Sequence, residues 1–167
     1  MAQNTIPTQA KLEVLAAELG TWLLAKGQTL ATAESCTGGW VAQCLTAIAG
    51  SSAWFDRGFV TYSNQAKVDM LGVPEDVLRD HGAVSEPTAL AMVNGVLAHS
   101  QADWVLSITG IAGPSGGSPE KPVGTVCFAW GRNGEAYCST ECFGGSRPEV
   151  RAQAVAFAIQ QLKNYII

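Results

Sequence analysis

Ser35 is the side chain in this sequence best placed to attack an electrophile. It lies in Thr32-Ala33-Glu34-Ser35-Cys36-Thr37-Gly38-Gly39-Trp40, where a short apolar strand hands over to a helix and the neighbours are too small to cover it. At such a junction the first helical N–H groups lack intrahelical partners and the helix dipole is positive, which stabilises a phosphate or a developing oxyanion. Thr37, Gly38 and Gly39 are the candidate substrate contacts of this turn, the glycines leaving room for a ligand. An ordinary N-cap role for Ser35 or Thr37 is the competing reading, because both residue types favour that position.

A serine needs a base before it attacks a carbonyl. The two histidines are poorly placed for it: His99 ends a helix and His81 sits in a turn before Gly82. Lysine is the other option. Ser118-Pro119-Glu120-Lys121 has Ser-x-x-Lys spacing, but Pro119 and the glycines before it make an irregular loop rather than an aligning helix. Lys67 falls on the first turn of an expected helix that Asn64 can cap, just after a strand ending at Tyr62. Most lysines on short helices are simply solvated. Here the positive helix end and partial burial would push the amine down from its usual pKa of about 10.4, toward the range in which it accepts a proton.

Cys36, Cys44, Cys127, Cys138 and Cys142 form an odd set without metal-type pairing, so zinc is disfavoured. Cys44 and Cys127 read as small core residues, and Cys36 as a reactive thiol only if the helix start lowers its pKa. A second glycine-rich break, Thr109-Gly110-Ile111-Ala112-Gly113-Pro114, can offer a nest of N–H groups to an anion, as can a plain solvent loop of the same composition. Neither break has the Gly-Lys-Ser/Thr ending of a Walker A loop or a dinucleotide fingerprint.

These residues have to be positioned by a fold. The 167 residues, 47% hydrophobic and 14% charged, suit one domain spanning 1–167 with a real core. A net charge of −4 argues against a strong nucleic-acid binder and leaves a small molecule as the expected partner. No apolar run reaches the roughly 18 residues of a membrane span, and the polar start is unlike a secretion signal, so a cytoplasmic location is expected.

Leu12, Leu15, Ala16, Leu19, Trp22 and Leu23 predict an amphipathic helix ending near Gly27. Strands are expected at 29–33, 57–62 and 104–109, and helices at 64–71, from Ser85-Glu86-Pro87 to about His99, and at 148–165. Residues 123–130 and 135–143 read as an antiparallel pair joined through 131–134. The pattern predicts an α/β fold of three layers, α/β/α, with a mixed and mainly parallel sheet ending in an antiparallel hairpin. Both glycine-rich breaks then fall at the ligand-binding end of the sheet.

Beyond these patterns, Ala33-Glu34-Ser35-Cys36-Thr37-Gly38-Gly39, Gly50-Ser51-Ser52-Ala53-Trp54-Phe55, Gly58-Phe59-Val60-Thr61-Tyr62-Ser63-Asn64, His81-Gly82-Ala83-Val84-Ser85 and Thr109-Gly110-Ile111-Ala112-Gly113-Pro114 resemble, in order, the carboxy-terminal domain of the CinA family. The resemblance covers about residues 30–147. It implies the three-layer fold and a stand-alone form without the amino-terminal molybdopterin-binding-like domain of longer members. It also implies metal-free and cofactor-free hydrolysis of nicotinamide mononucleotide to nicotinic acid mononucleotide and ammonia, in pyridine-nucleotide salvage. The family's serine, tyrosine and lysine match Ser35, Tyr62 and Lys67.

On this basis Ser35 is expected to attack the carboxamide, with Lys67 taking its proton directly or through Tyr62 and the helix-start N–H groups holding the oxyanion. The phosphate is expected on the loop from Gly110 to Gly113, near Arg57 or Arg147, with Thr109 a candidate hydroxyl donor to the substrate. Arg147 could instead cap the last helix. Two other classes fit part of the pattern: a non-catalytic nucleotide-binding module linked to competence or DNA damage, and a serine amidase for another small amide. A homo-oligomer is the expected assembly, through the apolar end Tyr165-Ile166-Ile167 or Trp54-Phe55.

Overall fold

The computed structural model describes residues 5–167. Helix α1 (Gln9–Lys26) opens on Thr8, whose hydroxyl accepts from the Lys11 N–H, and stops at Gly27, where the chain turns left-handed at φ 63°. The order then runs β1 (Leu30–Glu34), α2 (Trp40–Thr46), a 3₁₀ turn (Ser51–Ala53), β2 (Phe55–Val60), α3 (Asn64–Leu71), α4 (Glu75–His81), α5 (Glu86–His99), β3 (Trp104–Gly110), β4 (Thr125–Arg132), β5 (Glu135–Cys142) and α6 (Arg147–Ile166).

The five strands form one sheet in the order β2-β1-β3-β4-β5. β1 pairs in parallel with β2 and β3, while β3/β4 and β4/β5 are antiparallel, so β4 alone is reversed. The expected mixed sheet with a closing hairpin is therefore present. Its pairings divide evenly between the two kinds, because the hairpin continues the sheet directly from β3.

Alternation along the strands sends side chains to two separate cores. Leu30, Leu106, Ile108, Phe128 and Trp130 pack with α1, α2 and α6 on one face. Ala31, Ala33, Val105, Cys127 and Ala129 meet Leu71, Met92, Val93 and Val96 on the other. The second face is lined by smaller residues, which lets α5 lie close. At Gly95 the approach is tightest, since a Cβ there would collide with the Leu71 carbonyl at the end of α3. That contact fixes α3, and with it Lys67, against α5.

β1 is buried along its whole length between two parallel neighbours. The chain goes from β1 to β2 on one side and later returns to β3 on the other, so the carboxyl end of β1 is the topological switch point where open α/β sheets bind ligands. Ser35 follows β1 immediately. No helix among the described residues is long and apolar enough to cross a membrane. Two elements are absent from the sequence reading. α4 occupies a segment in which the sequence pattern predicts no element, placing His81 at the last residue of a helix instead of in the expected turn before Gly82, and the 3₁₀ turn precedes β2. Both are too short for apolar periodicity to stand out.

Candidate active site

The Ser35 turn differs from the expected strand-to-helix junction. α2 begins only at Trp40, after a turn in which the Gly38 N–H donates to the Ser35 carbonyl at 3.0 Å and the Trp40 N–H to the Thr37 carbonyl at 3.0 Å. Gly38 and Gly39 have φ of 60° and 97°, left-handed values that side chains with a Cβ avoid. The positive end of α2 is already occupied. Glu34, 1% exposed, accepts from the Val41 N–H at 2.9 Å through Oε1 and from the Ala42 N–H at 3.1 Å through Oε2. Those helix-start donors are thus spent on a carboxylate rather than on substrate.

Lys67 reaches Ser35 from the other face of the sheet. The Ser63 hydroxyl caps α3 by accepting from the Ala66 N–H at 3.0 Å, and Gly72 ends the helix in a left-handed turn. Lys67 Nζ lies 3.0 Å from Ser35 Oγ and donates to the Thr61 carbonyl at 2.9 Å. It is 1% exposed, and among the described residues no carboxylate forms an ion pair with it. Burial, which penalises the ammonium form, lowers its pKa from the model-compound value of 10.5. A neutral amine at this place would donate one N–H to Thr61 and present its lone pair to the Ser35 hydroxyl. The sequence-based expectation of a depressed lysine is met, with burial as the leading cause.

Tyr62 is 62% exposed, and its hydroxyl accepts from Arg147 Nη2 at 2.9 Å. It makes no hydrogen bond to Lys67 or Ser35. Arg147 also donates through Nη1 to the Gly113 carbonyl at 2.7 Å, joining the two loops across the mouth of the site. In the 110–113 loop, the Ile111 N–H is committed to the Thr125 carbonyl at 2.8 Å, which removes one donor from the expected nest. Gly110 ends β3 tightly against Val126, and Gly113 precedes a cis peptide bond to Pro114.

Two candidates are employed elsewhere. Arg57 pairs with Asp56 and donates to the His99 carbonyl at 3.0 Å. It stands opposite Ala31, three residues or about 10 Å before the end of β2, and its guanidinium is held at the His99 carbonyl rather than beside the 110–113 loop. Thr109 is buried and its hydroxyl donates to the Ala83 carbonyl at 2.8 Å, which fixes the loop before α5. Thr37 keeps an unused group: its hydroxyl is buried without a hydrogen-bond partner, as are those of Thr32 and Thr61. Cys36 is not an activated thiol. Burial pushes its pKa up to about 12.

Sequence reasoning missed Glu34 and Arg151. Glu34 was legible in principle, as an acidic residue just ahead of a helix start. Arg151 donates through Nε to the Cys36 carbonyl at 3.0 Å and through Nη2 to the Thr37 carbonyl at 3.2 Å, with its guanidinium 5.4 Å from the centre of the Trp40 ring. Its spacing of four from Arg147 puts the two on one face of α6. An apolar groove of about 560 Å³, lined by Ile6, Pro7, Leu15, Phe143, Ala156 and Phe157, contains none of these residues.

The family model for the CinA C-terminal domain matches residues 12–166. The chain belongs to this family. Among CinA relatives, the nicotinamide-nucleotide amidohydrolase PncC of Escherichia coli (strain K12) is 57% identical over 93% of this chain and 94% of its own length. The protein of the same name from Pseudomonas putida is 46% identical over 90% and 94%. Among solved structures, the competence/damage inducible protein CihA from Agrobacterium tumefaciens superposes with a TM-score of 0.89 at 47% identity, covering 96% of this chain and 97% of that one. The competence damage-inducible protein A (ComA) from Klebsiella pneumoniae gives 0.89 at 42% identity, covering 92% and 95%.

Proposed function

We propose that this protein hydrolyses the carboxamide of nicotinamide mononucleotide to nicotinic acid mononucleotide and ammonia, with Ser35 as nucleophile and Lys67 as its base. The observation that carries the reading is the 3.0 Å approach of a buried lysine, without a carboxylate partner, to a serine hydroxyl at the end of β1. The names of the relatives supply the substrate class, and with it the reading of the chain as an amidohydrolase.

In this mechanism neutral Lys67 takes the Ser35 proton as Oγ bonds to the carboxamide carbon, and the carbonyl electrons move onto oxygen. The tetrahedral intermediate collapses by breaking the C–N bond, with Lys67 returning its proton to the departing nitrogen as ammonia. Water, deprotonated by the same amine, then cleaves the Ser35 ester and releases the acid. The substrate's pyridinium ring makes its carboxamide more electrophilic, and its positive charge further disfavours the ammonium form of Lys67. Direct Ser35–Lys67 contact supports proton transfer without a relay. Tyr62 is then a wall of the site held by Arg147.

Arg147 has donors left after serving Gly113 and Tyr62, which supports a role in holding the 5′-phosphate beside the 110–113 loop. Such a reaction fits the salvage of pyridine nucleotides. The test is ammonia release from nicotinamide mononucleotide in chelator-treated buffer by wild type, Ser35→Ala and Lys67→Ala. Release by wild type alone is expected. Release by none would favour a binding module, and release by Ser35→Ala would remove the serine from the mechanism.

A further inference from the structure

The oxyanion formed when a serine attacks a carboxamide must be met by donors fixed before the reaction. The first N–H groups of α2 cannot serve, since Glu34 accepts from Val41 and Ala42. The turn between Ser35 and α2 offers others. Among the described residues, no backbone carbonyl accepts from the N–H of Cys36 or of Thr37, and the Cys36 N–H meets only its own thiol sulfur. Each belongs to a peptide unit whose opposite end is pinned. The Ser35 carbonyl accepts from the Gly38 N–H at 3.0 Å, and the Cys36 carbonyl from Arg151 Nε at 3.0 Å.

A trans peptide is planar, with N–H and C=O pointing in opposite directions, so holding the carbonyl aims the N–H. Arg151 also holds the next carbonyl, that of Thr37, at 3.2 Å, and its guanidinium rests over Trp40. A Cβ on Gly38 would lie 3.5 Å from Arg151 Nη2, so the guanidinium packs directly on the turn.

We infer that Arg151 is a positioning residue for the oxyanion: by gripping the Cys36 carbonyl from α6 it aims the Thr37 N–H, and by gripping the Thr37 carbonyl it braces the Gly38 N–H that holds the Ser35 carbonyl and so aims the Cys36 N–H, presenting both to the carboxamide oxygen as that oxygen becomes negative. The inference rests on Ser35 being the nucleophile. A cation on the Cys36 carbonyl also polarises the Cys36–Thr37 peptide, which strengthens the Thr37 N–H as a donor. The buried, unpartnered Thr37 hydroxyl lies in the same turn as a further polar group. Arg151 itself need not touch substrate.

The test compares wild type, Arg151→Lys, Arg151→Met and Ser35→Ala on nicotinamide mononucleotide and on its thiocarboxamide analogue, with thermal melting alongside. Sulfur is a poorer hydrogen-bond acceptor, so an aimed pair of donors favours the oxygen substrate. We expect kcat on the carboxamide to fall about 10- to 100-fold in both Arg151 variants, below the roughly 10²–10³-fold cost of deleting an oxyanion donor outright. KM should stay within about twofold, and the oxygen-to-sulfur rate ratio should shrink. A merely structural role would leave that ratio as in wild type. Arg151→Lys keeps a cation and one hydrogen bond, so it reports even if Arg151→Met unfolds. Unchanged ratios in a folded variant overturn the inference. An inactive Ser35→Ala beside unaffected Arg151 variants overturns it alone, whereas an active Ser35→Ala overturns it together with the nucleophile.

Discussion

Arg147 and Arg151, one turn apart on α6, divide the site between them: the first ties the Gly113 carbonyl to the Tyr62 hydroxyl, and the second ties the Cys36 and Thr37 carbonyls. One helix face thereby sets the positions of three loops that come from distant parts of the chain. None of the four bonds involves the Ser35 or Lys67 side chain. The loop fastenings and the Ser35–Lys67 contact are thus made by different elements.

Replacing Lys67 by Met should lower turnover by at least about 10²- to 10⁴-fold, the usual range for loss of a general base. The same change should leave the melting temperature equal to or above that of wild type, because an apolar chain of similar length avoids the cost of burying an ammonium group. Steady-state ammonia release and calorimetry test the two halves separately. A large loss of stability would mean that Lys67 is chiefly structural.

The depressed pKa of Lys67 has a definite sign in pH titrations. Activity should rise with pH through the folded-state lysine value as the amine loses its proton. Stability should rise in the same direction, because between that value and the ordinary 10.5 the unfolded chain binds the extra proton. Below the folded-state value both states are protonated and the penalty is constant. Denaturant melts at several alkaline pH values should show this slope in wild type and a smaller one in Lys67→Met.

Glu34→Ala should destabilise the protein by about 2–3 kcal/mol, since it removes both acceptors from the first turn of α2 and leaves the donors of Val41 and Ala42 unpaired. Urea melts measure this. Glu34→Gln, which retains one acceptor, should cost less. Equal stability of Glu34→Ala and wild type would mean that water replaces the carboxylate.

Cys36→Ala should keep most of the activity, and a thiol reagent should label the exposed Cys138 and Cys142 before Cys36, whose burial raises its pKa to about 12. Mass spectrometry of partly labelled protein gives the order. First labelling at Cys36 together with loss of activity would reopen it as a nucleophile.

The long elements were readable because their signals are local. Gly72 ends α3, Ser85 and Pro87 open α5, and Gly27 ends α1, whereas the cap of α3 is Ser63 and the expected Asn64 is the first helical residue. Ser35 and Lys67 were legible as types in context and through the family motif. Their separation in space was not, because α3 is placed through α5, by the Gly95 approach to Leu71, and α5 in turn packs on the sheet. The fate of the arginines was hidden for the same reason. Arg57 and Arg147 look alike in sequence, and only the tertiary structure places one with His99 and the other between Gly113 and Tyr62. The start of α2 was misread because Gly38 and Gly39 take left-handed conformations that periodicity does not report.

Arg151 meets Cys36 across 115 residues of chain. A ribosome therefore releases the Ser35 turn early and its fastening late, after every strand has already emerged. Until α6 leaves the exit tunnel, a nascent chain would have both Ser35 and Lys67 but no grip on the peptides between Ser35 and α2. Loss of α6, the twenty residues Arg147–Ile166, is thus a change at the centre of the molecule, although it is made far along the chain from Ser35.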